Sequence, residues 1–201
     1  IATYDKAEHT THNALITATT GEKHRFYRYS NEGASSSLYQ PTNLFEKTFE
    51  GVAITQDSVE LVSVSLDDFI HAHDIAPSTL IIDVQGAELE VLSGGKEALH
   101  HTNVIEVEIS QQKIYDGGAL FQQVDDLLKK FGFVRITRIP WHGDVIYIDP
   151  NKFDRSTYLK FKALSTKYAL TDFFRFLPRL ITLLSKHPIE TLRKATQRLI
   201  K

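Results

Sequence analysis

TLIIDVQGAELEVLSGG, residues 79–95, is the stretch that decides the fold of this chain. The apolar residues Leu80 to Ile82 run directly into Asp83, a turn with a glycine follows, and an amphipathic helix comes next. This order predicts a buried strand that carries an acidic group to the edge of an α/β sheet. Ligands of open α/β sheets bind at the carboxyl ends of the strands, so we expect the functional site there.

Strand and helix patterns alternate around this stretch. Strands are predicted at 59–65, 79–82, 103–109, 133–139 and 144–148, and helices at 66–72, 87 to about 96, and 119–131. Upstream, Asn13–Thr19 and His24–Tyr29 are predicted to form a hairpin or two neighbouring strands. The order predicts a doubly wound, mostly parallel α/β sheet with an antiparallel hairpin that closes one edge.

Charge divides the chain into two parts. Residues 1–150 contain 11 Lys and Arg against 22 Asp and Glu, whereas residues 151–201 contain 12 against 3. We therefore predict an α/β domain over 1–150 and a basic amphipathic helical tail over 151–201. Helical patterns in the tail cover Thr171–Lys186 and Pro188–Lys201. The tail would either lie on an anionic membrane surface or pack on the domain or a second subunit. We predict no binding to nucleic acid, since no recognition motif is present.

Composition excludes several kinds of site. The chain contains no cysteine, which rules out disulfide bonds and thiolate chemistry and fits a cytoplasmic compartment. No run reaches the about 18 apolar residues of a membrane-spanning helix. His9, His12 and His24 are scattered and near no pair of carboxylates, so we predict no metal site.

The motif IDVQGAELEVLSGG is followed by IEVEIS, IYDGG, KKFGF and GDVIYID, and in this order the motifs resemble the FkbM family of methyltransferases. The resemblance extends over about residues 13–149. It implies a class I, Rossmann-like methyltransferase fold with S-adenosyl-L-methionine as cofactor. It also implies methyl transfer to a hydroxyl of a sugar, glycan or natural product. No glycine-rich cofactor loop precedes residue 30, so we expect the chain to represent about the C-terminal two thirds of such a domain.

Three residues are candidate catalytic groups. Asp83 would position the acceptor hydroxyl or contact the cofactor, or else cap the helix that follows. Glu106 and Glu108 point to the same face of one strand, and Glu108, nearer its carboxyl end, would accept the hydroxyl proton if burial raises its pKa. The alternative for Glu108 is an exposed edge position. His142 is a second candidate base, or an exposed residue of the final turn.

Four residues are candidate binding groups. Gln85 would donate a hydrogen bond to the cofactor, or else is an exposed turn residue. Glu88 would contact the substrate, or else only stabilise the first turn of its helix through the helix dipole. Trp141 would stack on a sugar ring, and Ser36 lies in a polar loop, 30–41, that we predict to be a lid. The alternative function is a non-catalytic methyltransferase-like module, tethered to a membrane or partner by the basic tail.

Overall fold

The computed structural model describes residues 10–31, 33–49, 57–163 and 166. The strands are β1 (Leu15–Thr17), β2 (Lys23–Arg28), β3 (Gln40–Pro41), β4 (Asp57–Ser65), β5 (Thr79–Ile82), β6 (Val104–Ser110), β7 (Tyr115–Asp116), β8 (Val134–Arg135) and β9 (His142–Ile148). The helices are α1 (Asn43–Thr48), α2 (Leu66–Ala72), α3 (Glu88–Ser93), α4 (Lys96–His101) and α5 (Phe121–Lys130), and Pro150–Lys152 forms a 3-10 turn.

The largest sheet has the strand order β5–β6–β9–β8. Strands β5 and β6 are parallel, whereas β9 is antiparallel to both β6 and β8. Strands β5, β6 and β8 therefore run in the same direction, and a β8–β9 hairpin closes one edge of the sheet. The predicted α/β class and the terminal antiparallel hairpin are confirmed, whereas the doubly wound arrangement stays a prediction. The prediction that residues 79–82 form a buried strand is wrong, because β5 is an edge strand of the described sheet and Ile81 is 74% exposed. A second sheet has the order β1–β4–β2, and β3 pairs with β7.

The prediction that the two N-terminal strands pair with each other is wrong. Strand β4 lies between them, parallel to β1 and antiparallel to β2. The turn at Gly21 does not close a hairpin, because its backbone bonds to β4: Gly21 N–H donates to the Ser63 carbonyl at 2.9 Å, and Ser63 N–H donates to the Glu22 carbonyl at 2.8 Å. Sequence patterning predicts strands well but leaves their pairing partners open.

The helix predicted from residue 87 to about 96 is α3, which ends at Gly94, and a second helix that was not predicted, α4, begins at Lys96. A Cβ atom on Gly94 would overlap the carbonyl oxygen of Thr17 in β1, so this close approach requires glycine. Asp67 of α2 stabilises the start of α4, since its carboxylate accepts hydrogen bonds from the N–H groups of Glu97 at 3.0 Å and Ala98 at 2.9 Å. This cap comes from a distant helix and has no local sequence signal.

Two other helix boundaries follow their local signals. Ser65 caps α2, because its side-chain oxygen accepts a hydrogen bond from Asp68 N–H at 3.1 Å. Helix α5 ends just before Gly132, which has a φ of +87°. The start of α2 and the end of α5 agree with the helices predicted at 66–72 and 119–131.

The hydrophobic core positions the site through the alternation of β6. Ile105, Val107 and Ile109 are buried, and helices α3 and α5 contact both this strand and each other. The intervening residues Glu106 and Glu108 are half-buried and project from the opposite face of the sheet. The pleat therefore places the acidic side chains away from the main core.

The predicted tail helices, Thr171–Lys186 and Pro188–Lys201, lie outside the described residues. Within the part of the chain that the structure describes, no helix combines the length and apolarity of a membrane span.

Candidate active site

The turn between β5 and α3 has an unusual backbone. Gln85 and Gly86 both have positive φ angles, +54° and +100°. A Cβ atom on Gly86 would lie 3.1 Å from Cβ of Tyr115, so this position needs glycine both for its conformation and for space. The glycine in the turn after Asp83 is therefore a structural requirement of this turn.

The alternative interpretation of Asp83 as a helix cap is wrong. Ala87 is the N-cap residue of α3, and no side chain caps it. Instead, Glu88 Oε1 accepts a hydrogen bond from the Gly86 N–H at 2.9 Å. Glu88 is only 4% exposed, and burial raises the pKa of its carboxyl group. Glu88 therefore stabilises the turn, and the Asp83 carboxylate remains exposed at the end of β5.

Gln85 joins the two predicted catalytic carboxylates. Its side-chain Nε2 donates to Asp83 Oδ1 at 2.6 Å and to Glu108 Oε2 at 3.1 Å. The parallel pairing of β5 with β6 makes this contact possible, since Ile82 lies opposite Val107 and the two acids follow in register. The structure thus brings three of the predicted site residues together at the carboxyl edge of the sheet.

His142 completes this group from the antiparallel strand. It is the first residue of β9 and pairs with Ser110 of β6, so it is not an exposed turn residue. Its Nε2 lies 3.3 Å from Glu108 Oε1, and the two side chains are 19% and 18% exposed. Glu108 is therefore neither at an edge nor fully exposed, in contrast to the alternative interpretation of its position.

The surroundings of Glu108 suit a group that exchanges a proton near neutral pH. Burial, with the negative charges of Asp83, Glu88 and Asp144 nearby, raises the pKa of Glu108 to about 7. Burial lowers the pKa of His142, which favours the neutral imidazole. A carboxylate that is poised between its two protonation states can act as a general base.

A small cavity lies beside these groups. It has a volume of about 20 Å³, and Gly86, Glu88, Glu108, Tyr115 and His142 are among its lining residues. This volume is enough for one water-sized group. A hydroxyl of an acceptor would fit, next to the carboxylate of Glu108.

The other two predicted binding residues lie farther out. Trp141 is 41% exposed, with its ring centroid 6.1 Å from that of His142. Ser36 does not line the cavity, and its Oγ accepts a hydrogen bond from Tyr29 N–H at 3.3 Å. The loop reaches the site through Ser37 instead, which is fully buried and donates to the Gln85 carbonyl at 2.7 Å.

Sequence reasoning missed two residues of the site, Ser37 and Tyr115. Tyr115 Oη donates to Gln85 Oε1 at 2.8 Å. The motif that contains Tyr115, IYDGG, carries no periodicity or charge pattern that marks this side chain. In the described part of the chain, no group of three or more His, Cys, Asp or Glu is arranged to hold a metal ion.

A family model for the methyltransferase FkbM domain matches residues 3–135. The chain therefore belongs to the FkbM family of methyltransferases, as its sequence motifs predicted. It is also 33% identical, over 117 residues, to the 2-O-methyltransferase NoeI of Sinorhizobium fredii (strain NBRC 101917 / NGR234). The match covers 56% of this chain and 46% of NoeI, so the chain spans about half the length of that relative. No solved structure gives a significant match.

Proposed function

We propose that this chain forms part of an S-adenosyl-L-methionine-dependent O-methyltransferase that acts on a hydroxyl of a sugar, glycan or natural product. The observation that carries the proposal is Glu108, a half-buried carboxylate with a raised pKa beside a hydroxyl-sized cavity. The family match and the 2-O-methyltransferase relative support the same reaction. They do not favour the alternative of a non-catalytic module.

The residues at the end of β5 fit one part of the cofactor. When bound, S-adenosyl-L-methionine would supply an electrophilic methyl group on its sulfonium, and it carries an α-ammonium group at its amino acid end. The exposed carboxylate of Asp83 suits these positive charges. The two N–H groups of the Gln85 amide are used by Asp83 and Glu108, so its oxygen, which keeps a second lone pair, is the group that would accept from the ammonium. Asp83 and Gln85 are therefore the residues that would hold this end of the cofactor.

The protein groups then have two tasks, alignment and deprotonation. Glu108 would take the proton of the acceptor hydroxyl when that oxygen receives the methyl group that the bound cofactor would supply. His142 Nε2, 3.3 Å from Glu108 Oε1, holds the carboxylate in place. Because the sulfonium is a good leaving group, alignment of oxygen with the methyl carbon supplies much of the acceleration.

The first prediction tests the reaction directly. Incubation of the protein with isotope-labelled S-adenosyl-L-methionine and a panel of monosaccharides and oligosaccharides should give labelled, O-methylated products. The name of the relative favours the 2-hydroxyl, so sugars with a free 2-hydroxyl should be labelled and their 2-deoxy counterparts should not. The proposal would be contradicted if no hydroxylated acceptor were labelled and calorimetry also detected no binding of the cofactor.

The second prediction concerns pH. Glu108 must be ionised to accept a proton, so the rate should be low below its pKa, rise through about 7 and level off above it. Asp144 lies opposite Glu108 in the β6–β9 ladder and raises its pKa, so Asp144→Asn should move this rise to lower pH. Initial rates across the pH range, with saturating cofactor, measure both effects. A rate that is constant through neutrality would contradict the assignment of Glu108 as the base.

We further propose, from the charge distribution, that residues 151–201 form a basic appendage, which contacts an anionic membrane surface or a second subunit through residues 171–201. The proposed fold of the 1–150 domain is the doubly wound methyltransferase sheet, of which β5–β6–β9–β8 would be one part.

The location that we propose for the protein is the cytoplasm, since a chain without cysteine fits a reducing compartment.

A further inference from the structure

We infer that Tyr115 is a positioning residue that holds the Gln85 amide in the orientation that keeps Asp83 and Glu108 together. This inference rests on the proposed function of those two carboxylates. Neither Tyr115 nor its contact with Gln85 has a signal in the sequence patterns, and the geometry alone points to it.

The amide nitrogen of Gln85 lies between two like charges. Nε2 is 2.6 Å from Asp83 Oδ1 and 3.1 Å from Glu108 Oε2, so its two N–H bonds serve one carboxylate each. Without these donors the two acids would repel each other across the edge of the sheet. The site therefore depends on the NH₂ end of the amide, and not its carbonyl end, facing the acids.

Tyr115 selects this orientation from the other side. Its Oη is 2.8 Å from Gln85 Oε1, and burial raises the pKa of the phenol, so the hydroxyl keeps its proton and donates it. The same Oη is 3.3 Å from the Ser35 carbonyl, a longer contact. If the amide were rotated by half a turn, Oε1 would face two carboxylates and lose its donor. The hydrogen bond from Tyr115 thus favours the productive orientation.

The backbone of Gln85 is held as well. Its left-handed conformation, with a φ of +54°, is uncommon for a residue other than glycine. Ser37 Oγ donates to the Gln85 carbonyl at 2.7 Å, and both groups are shielded because Ser37 is fully buried. Glycines at 86 and 118 leave room for the Tyr115 ring, since a Cβ atom at either position would lie 3.1 Å from Tyr115 Cβ.

Tyr115→Phe tests the inference, and Tyr39→Phe is its matched control. Both hydroxyls belong to tyrosines of the same aromatic cluster, but Tyr39 Oη contacts Glu90 at 3.2 Å and not Gln85. We expect Tyr115→Phe to lower kcat by about tenfold with little change in the KM of the acceptor, and Tyr39→Phe to retain the wild-type kcat.

The pH profile and a double-mutant cycle separate positioning from a general structural effect. Glu108 faces Asp83 after β5, Glu88 of α3, and Asp144 and His142 of β9. In Tyr115→Phe the Gln85 amide is no longer held with its N–H groups towards these negative charges, which are then less well compensated. The acid limb of the pH–rate profile should therefore move to higher pH. In a Gln85→Ala background, Tyr115→Phe should have no further effect on kcat. Additive effects, or an unchanged kcat and pH profile in Tyr115→Phe, would overturn the inference.

A measurement without turnover distinguishes this inference from the proposed function. The side-chain amide of Gln85 should give two well-separated, slowly exchanging proton signals by NMR in the cofactor-free protein, assigned by their loss in Gln85→Ala. Tyr115→Phe should move both signals towards the chemical shifts of a solvent-exposed side-chain amide, and Tyr39→Phe should leave them unchanged. If these signals respond as expected but the wild type transfers no methyl group, the proposed function fails and the positioning role stands. If the wild type transfers methyl groups and the signals do not respond, the positioning role fails alone.

Discussion

Glu108→Gln is expected to lower the rate of methyl transfer by about 100-fold or more. The substitution keeps the size of the side chain and an oxygen that can accept from Gln85, but it removes the basic carboxylate beside the cavity. Turnover with labelled cofactor and a responsive acceptor gives the rate. The acid limb of the pH profile should also disappear, because the titrating group is gone.

Glu106→Gln is the matched control for this experiment. Glu106 lies on the same strand and the same face, two residues earlier, and is half-buried as well. It does not line the cavity at the carboxyl end, so its variant should retain wild-type turnover. If both variants lost the same fraction of the methyl-transfer rate while circular dichroism showed intact folding, the rate would depend on charge on this face of the sheet, and Glu108 would not be the base.

Gly94→Ala is expected to destabilise the fold by about 3 kcal/mol or more, the upper part of the range for overpacking. The added methyl group would overlap the backbone carbonyl of Thr17. That carbonyl cannot move aside easily, since Thr17 pairs with Ser65 in the β1–β4 ladder and is itself buried. Urea denaturation, with the change in midpoint at constant slope, measures the loss of free energy of unfolding.

Gly21→Ala provides the comparison. Gly21 has a φ of +87°, but a Cβ atom there would meet nothing within 4 Å. Its variant should therefore show only the backbone cost of a non-glycine residue in this conformation, about 1 kcal/mol. If Gly94→Ala were no less stable than Gly21→Ala, the contact between α3 and β1 would not be as close as the structure has it.

Local signals account for the elements that the sequence predicted well. The strand before Asp83, the start of α2 after Ser65 and the end of α5 before Gly132 each depend on neighbours within a few residues, and each lies where the sequence predicted a strand or helix boundary. The burial predicted for that strand is wrong, since Ile81 of β5 is 74% exposed. Predictions failed where distant groups decide the outcome. The carboxylate of Asp67 starts α4 from another helix, and β4 separates two strands that are adjacent in sequence.

The same division holds for the site. Asp83, Gln85 and Glu108 could be singled out because each lies at the end of a strand or in the turn that follows it. His142 was a candidate, but its half-buried place beside Glu108 depends on the register of β6 with β9. Tyr115 and Ser37 could not be found, because each contacts Gln85 across at least 30 residues of sequence.

The sequence by itself determined the strand, turn and helix of residues 79–95 and the acids at the sheet edge, since apolar periodicity and glycine at positive φ are local properties. The resemblance of its motifs, in their order, identified the FkbM family. Only the tertiary structure decided which of these groups share a cavity and which hold one another in place. Strand order and register are set by side-chain packing between residues far apart in the chain, and local propensity does not encode them.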